Sequence, residues 1–384
     1  MTLEEAVKEI KEPDKKAMEE AKIRWDHVAK PLGSLGLLED AVTRIAGMQG
    51  SARICLKQKA VAIFCGDNGI VEEGVTQTGQ EVTAVVAENF SRGLSCVCIM
   101  AEQAGAGVIP VDMGVCRELS CYGDLPVDAS SEIMGQNQSP SAQSPIVQDT
   151  TVKYPVINCR IMDGTRNFLK ETAMDRQQAL AAVETGIRLV GQLKERGYHI
   201  LATGEMGIGN TTTSSAVIAA ILGKDPAEVT GRGAGLDSAG LKRKISVICQ
   251  GLALHHPDPA DGLDMLSKVG GLDLAGMTGA FIGGALYHIP VVIDGVISAA
   301  AALLASVICP ASVGYMLASH VSAEPAHQMV LDHLGLEPVI RGRMCLGEGT
   351  GAVALFPLLD MAAAVYERMD TFQDIQIEEY HHLT

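Results

Sequence analysis

Close to the end of the chain a single carboxylate stands among glycines, in the run LGEGTGA at 346–352, and an apolar stretch of helical periodicity follows it. An acid at a helix start gains about 0.3–1 kcal/mol from the helix dipole, which would account for Glu348 without any chemistry. The same residue suits a general base, because a flat substrate can lie directly against a backbone without side chains. A second acid, Glu205, opens GEMGIGNTTTS at 204–214. Glycines leading into a Thr-rich helix start present free N–H groups of the kind that bind phosphate; they also suit a plain N-cap after a flexible turn. No G-x-G-x-x-G register fits here and no G-K-[ST] follows, so neither a dinucleotide fingerprint nor a Walker A loop is present. A third cluster, TGRGAGLDSAGLKRK at 230–244, gathers Arg232, Lys242, Arg243 and Lys244, either as an anion site or as a solvated helix face. In HVSAEPAH the two histidines, His320 and His327, are seven apart with Pro325 between them. They do not form H-E-x-x-H, and no metal is expected. No Ser or Cys nucleophile motif is found.

These groups need a scaffold, and the apolar runs supply one. KAVAIFCGDNG (59–69), AGVIPVDMGV (106–115), YHILATGEMGIGN (198–210) and HIPVVIDG (288–295) read as buried strands that end in an acid. Helical patterns separate them: EVTAVVAENFSRG, DRQQALAAVETGIRLVGQLKERG and TTTSSAVIAAILG. Strands alternating with helices predict a three-layer α/β/α fold around a mostly parallel, Rossmann-like sheet. Ligands in such folds sit beyond the carboxyl ends of the strands, which puts Asp67, Asp112, Glu205 and Asp294 at the expected crevice. Residues 1–50 read as helices around a KPLGSLG loop and, with 356–384, form a smaller helical domain. Residues 51–355 form the catalytic domain, interrupted by a Ser-, Gln- and Pro-rich loop insertion at 123–153.

Composition narrows the class. The 384 residues carry a formal charge of −16, which opposes nonspecific nucleic-acid binding while leaving room for a small anion in a local positive site. Ten cysteines are scattered without C-x-x-C or zinc spacing, as expected in a reducing cytoplasm. The charged N-terminus has no apolar signal core. The uncharged stretch 296–319 lacks flanking Lys or Arg and is broken by Cys309-Pro310 and Gly314, so it reads as a buried helix then a buried strand, with no membrane partner expected.

The motifs KPLGSLGLLE, FCGDNGIVEEGVT, GEMGIGNTTTS, TGRGAGLD with KRK, PVVIDGVISAAA, HVSAEPAH and LGEGTGA follow in this order. From about residue 25 to 372 that series resembles the nicotinate-nucleotide–dimethylbenzimidazole phosphoribosyltransferases, which make the lower-ligand nucleotide of cobamides. The resemblance implies transfer of the ribosyl phosphate of nicotinate mononucleotide to a ring nitrogen of a benzimidazole. No pyrophosphate leaves, so no Mg²⁺ is called for, and no cofactor is expected. It further implies Glu348 as base and Glu205 as stabiliser of positive charge on ribose. Gly207, Gly209, Asn210, Thr211, Lys244 and Ser322 would hold the phosphate. Thr78, Val85, Val86 and Leu346 would form the acceptor pocket. The sequence departs from the family pattern in three places. Val85 and Val86 stand where a Gln occupies the turn after VT; IRGRMCLGEG has Arg341 for an Asp and Cys345 for an Arg; and Ala326 replaces a Gly. These changes open the acceptor to phenols as well as benzimidazoles. They also open the assembly to a homodimer or a heterodimer with a related chain, including a noncatalytic partner role. A nicotinamide-dependent oxidoreductase is opposed by the missing fingerprint.

Overall fold

The computed structural model describes residues 1–126 and 151–381. Most of the expected insertion, 127–150, therefore lies outside the described residues. Six parallel strands form one sheet: β1 (Lys59–Gly66), β2 (Ala106–Gly114), β3 (Ile157–Asn158), β4 (Ile200–Met206), β5 (Val291–Ile293) and β6 (Met316–Ala318). Their spatial order is β3-β2-β1-β4-β5-β6. The direction of winding reverses between β1 and β4, and a crevice opens there at the carboxyl ends of the strands.

The continuous apolar strand runs have a simple cause. Each strand alternates its side chains between two covered faces. Ala60, Ala62 and Phe64 of β1 point into one core, with the helices Arg176–Glu195, Leu272–Tyr287 and Val296–Ile308. Val61, Ile63 and Cys65 point into the other, with the helices Leu37–Gln49, Glu81–Arg92, Cys96–Gln103 and Thr350–Arg368. This is the three-layer arrangement that the strand–helix alternation predicts. Two of the first group of helices approach backbone to backbone. A Cβ on Gly186 would fall 2.8 Å from the Ala280 nitrogen, so only glycine allows that crossing.

The uncharged stretch 296–319 becomes a buried helix, a 3-10 turn at Pro310–Tyr315 and strand β6. Ten of the 13 residues of Val296–Ile308 are buried, and at 1.5 Å per residue the helix is about 20 Å long, too short to span a bilayer. Thr350–Arg368 is long and apolar enough to do so by composition, yet half of it is buried against the rest of the protein.

The expected boundary at 355 falls inside that 19-residue helix, which runs without interruption. Its amino end reaches the crevice. Its carboxyl end packs on the N-terminal helices, where the rings of Trp25 and Tyr366 meet at a tilt of 59° with centroids 4.9 Å apart. Trp25, Val42 and Tyr366 share one core with Val61 and Ile63 of the sheet, so the terminal helices are continuous with the α/β layer.

Candidate active site

Beyond the carboxyl ends of β4, β5 and β6 lies a cavity of about 270 Å³, bordered by Glu205, Asp294, His320, Ser322, Glu324 and the Met344–Thr350 segment. The turn that carries Glu348 is unusual. Gly347, Glu348 and Gly349 have φ of 89°, 62° and 96°, three left-handed residues in a row. For Glu348 this costs about 1–2 kcal/mol, and surrounding contacts must hold it. Asp294 does so: one oxygen accepts the amides of Gly351 at 2.7 Å and Ala352 at 3.0 Å, and the other accepts that of Gly349 at 3.2 Å. Glu205 adds a contact to the Glu348 amide at 3.4 Å. A side chain on Gly349 would come within 2.7 Å of Val61, so the turn sits directly on the sheet. The Glu348 carboxylate receives the Val97 amide at 3.5 Å. Burial raises its pKa, the Val97 amide opposes that, and the charge of Asp294 adds to it. The result is a cavity carboxylate that takes up a proton readily.

Glu205 sits deeper, at the end of β4. Burial pushes its pKa up to about 8, the nearby Asp273 and Asp294 charges add to that, and the Asn210 carboxamide opposes it. Asn210 donates to the Glu205 carboxylate and also to Asp273, at 2.9 Å.

Behind Thr211, which lines the cavity, Lys244 is wholly excluded from solvent. Its ammonium donates to Thr211 Oγ1 at 2.7 Å and the Gly231 carbonyl at 3.4 Å. Burial pulls its pKa down to about 8, with Glu324 acting in the opposite direction. Glu324 accepts the Gly233 amide at 3.1 Å. The Ser322 amide donates to His327 Nδ1 at 2.9 Å. That imidazole is a neutral acceptor, because burial and then His320 push its pKa down to about 3.

A phosphoribosyltransferase family model matches residues 10–377. Nicotinate-nucleotide–dimethylbenzimidazole phosphoribosyltransferase of Ruminiclostridium cellulolyticum is 43% identical over 380 residues, 99% of each chain. The protein of the same name from Acetivibrio thermocellus is 40% identical over 376 residues, 98% of each. The chain belongs to the nicotinate-nucleotide–dimethylbenzimidazole phosphoribosyltransferase family. The crystal structure of CobT from Thermus thermophilus superposes with a TM-score of 0.81 at 34% identity, covering 94% of this chain and 99% of that one. A second Thermus thermophilus structure, named for the same phosphoribosyltransferase, gives a TM-score of 0.82 at 33% identity, covering 96% and 100%. These relatives make the chain an enzyme of the glycosyltransferase type.

Within this family fold, the residues expected from the sequence separate into two sets. Glu205, Gly207, Asn210, Thr211, Ser322, Val86, Leu346 and Glu348 line the cavity. Gly209 is the left-handed cap of the helix Asn210–Leu222 behind the wall, with φ 95°. Lys244 lies behind Thr211. Of the amides expected to cradle a phosphate, that of Asn210 is already donated to the Gly207 carbonyl at 3.0 Å. Thr78 and Val85 do not border the cavity; Thr78 is in an exposed loop and Val85 is 48% exposed. Val85 and Val86 lie inside the helix Glu81–Arg92, as the apolar pattern of that segment predicts, and a helix turns successive residues about 100° apart, so only Val86 of the two lines the cavity. Asp112, expected at the crevice, is tied up at the end of β2 by Tyr122 and Arg160. Among the described residues no three His, Cys, Asp or Glu side chains gather as a metal-ligand set.

Sequence reasoning passed over Asp273 and Glu324, and it placed Asp294 at the crevice without a task. Asp273 had one legible signal: it is the only charge in the run 269–287. A lone acid in a buried helix needs a partner.

Proposed function

We propose that this chain transfers the phosphoribosyl group of nicotinate mononucleotide to 5,6-dimethylbenzimidazole, giving an α-riboside phosphate and nicotinate for cobamide synthesis. The single observation that carries the proposal is the convergence of two raised carboxylates, Glu205 and Glu348, on one cavity whose wall at Thr211 is backed by the buried Lys244. One benzimidazole nitrogen attacks C1′ with its lone pair while the N–H proton of the other passes to Glu348. The bond from C1′ to the pyridinium nitrogen breaks, and its electron pair neutralises the departing ring. Positive charge grows on the ribose in between, and an ionised Glu205 stabilises it across a dry site. Lys244 and Thr211 hold the phosphate, which fixes C1′ relative to the acceptor.

The acceptor end is lined by Val86, Met344, Cys345 and Leu346, with no carboxamide. The second ring nitrogen of a benzimidazole therefore has Glu348 as its polar partner there, and no carboxamide adds a contact that would favour it over another acidic N–H or O–H. A phenol has no such nitrogen, and its hydroxyl proton can pass to the same Glu348, giving an O-linked riboside. The pocket therefore discriminates weakly between benzimidazoles and phenols. The test supplies the isolated chain with nicotinate mononucleotide and equal 5,6-dimethylbenzimidazole and p-cresol, and identifies riboside phosphates by mass. Both products are expected. No product from the isolated chain would overturn the activity; the benzimidazole product alone would overturn only the phenol reading.

A further inference from the structure

Asp273 lies on the second residue of the helix Leu272–Tyr287 and is completely excluded from solvent. A buried carboxylate is costly unless its lone pairs are taken up. Its partners are two: the Leu274 amide at 2.9 Å on one oxygen and the Asn210 carboxamide at 2.9 Å on the other. The Asn210 nitrogen has two hydrogens, and the second is donated to Glu205 Oε2. That leaves Glu205 Oε1 to receive the Glu348 amide. One hydrogen-bonded chain thus runs from Asp273 through Asn210 and Glu205 to the backbone of the Glu348 turn.

We propose that Asp273 is a positioning residue for this reaction: through the Asn210 carboxamide it fixes which way the Glu205 carboxylate faces, and it sets a second carboxylate beside Glu205 that favours entry of a cationic donor ring into the cavity. The inference rests on the role assigned to Glu205 above. Glu205 faces Asp273 across Asn210, Asp294 with His320 beside it from the ends of β5 and β6, and Glu348 from the adjoining turn; Asp67, from the end of β1, stands near Asp273. Two carboxylates that share one amide in a dry site resist both being charged. A pyridinium nucleotide supplies the compensating charge, so the anion appears where and when positive charge must be stabilised. Asn210 cannot perform this alone, because without Asp273 its carboxamide is free to rotate toward the cavity.

Three variants and one control test the proposal. Asp273→Asn keeps an acceptor for Asn210 and removes the charge. Glu205 then ionises at lower pH, and the acid-side midpoint of kcat/KM for nicotinate mononucleotide is expected to move down by about one unit or more. A merely structural role would not move it. Asp273→Ala frees Asn210 and is expected to lower kcat about 10–100-fold, with donor KM changed less than about threefold, since the phosphate end is untouched. Where the core variants do not fold, Asn210→Ala cuts the same chain from the cavity side and is expected to reproduce the kcat loss. An unshifted pH profile in a folded Asp273→Asn, or unchanged kcat in Asn210→Ala, would overturn the proposal. Glu205→Gln separates the two levels. If it is fully active, the role given to Glu205 fails; if it is impaired while Asp273→Asn keeps the wild-type profile, only the present inference fails.

Discussion

Replacing Lys244 by Met should strengthen the fold and weaken donor binding at once. The two side chains have similar length and volume, so packing changes little. The lysine ammonium is held in a dry site where burial depresses its pKa from 10.5 to about 8. That difference corresponds to ~3 kcal/mol of destabilisation at neutral pH. Below pH 8 both folded and unfolded chains carry the proton and the whole cost is present. Between pH 8 and 10.5 the folded chain has released its proton while the unfolded chain keeps it, so wild-type stability rises with pH through that window. Lys244→Met has no proton to release; it should be more stable than wild type by about 1–3 kcal/mol at pH 7, and the gap should close toward pH 10. Donor binding moves the other way. Losing a charge-assisted contact to phosphate costs about 1.5–3 kcal/mol, or roughly 10–150-fold in Kd. Urea unfolding at pH 7 and 10 reads the first effect, and titration calorimetry with nicotinate mononucleotide reads the second. A variant less stable than wild type at pH 7, or one that binds the donor as tightly, would refute the reasoning.

Glu324 faces the same end of the cavity and accepts the Gly233 amide, so an entering phosphate meets its negative charge. Glu324→Gln should tighten nicotinate mononucleotide binding about 3–30-fold, measured by the same calorimetry; weaker binding would make Glu324 a ligand of the donor instead. Gly349→Ala places a Cβ 2.7 Å from Val61 at φ 96° and should lower stability by about 2–4 kcal/mol in urea unfolding, with less than 1 kcal/mol lost indicating a pliable turn. The Glu205 carboxyl, pushed up to about 8 by burial and then by the Asp273 charge, makes kcat/KM for nicotinate mononucleotide fall as pH drops through that value. A pH–rate profile flat between 6 and 9 would contradict a requirement for its anion.

Much of the architecture is readable because parallel strands covered on both faces must be apolar throughout. KAVAIFCG and ILATGEM announce themselves, and an acid at the strand end marks the crevice. The two-residue β3 has no such pattern, and only its pairing with Val111 and Asp112 makes it a strand. The helix at 81–92 is readable too, and its step of about 100° per residue separates Val86 from Val85, whereas a family motif carried over as a unit assigns both to the pocket. Partners far apart in sequence were not readable. Asp273 meets Asn210 from 63 residues away, and Asp294 holds amides 55 to 58 residues downstream. The isolation of Asp273 in an apolar helix says that it needs a partner, but nothing local to either acid says which residue that partner is; the fold makes the connection.

In the reaction proposed above Glu348 removes the acceptor's proton, and Glu348→Gln takes away that ability alone. The amide keeps the shape of the side chain and its acceptor for the Val97 N–H, while losing the ability to take a proton. With saturating nicotinate mononucleotide and 5,6-dimethylbenzimidazole, kcat for the riboside phosphate is expected to fall about 10²–10⁴-fold. Donor affinity and the unfolding midpoint should be unchanged. A folded Glu348→Gln chain that turns over at close to the wild-type rate would contradict the account.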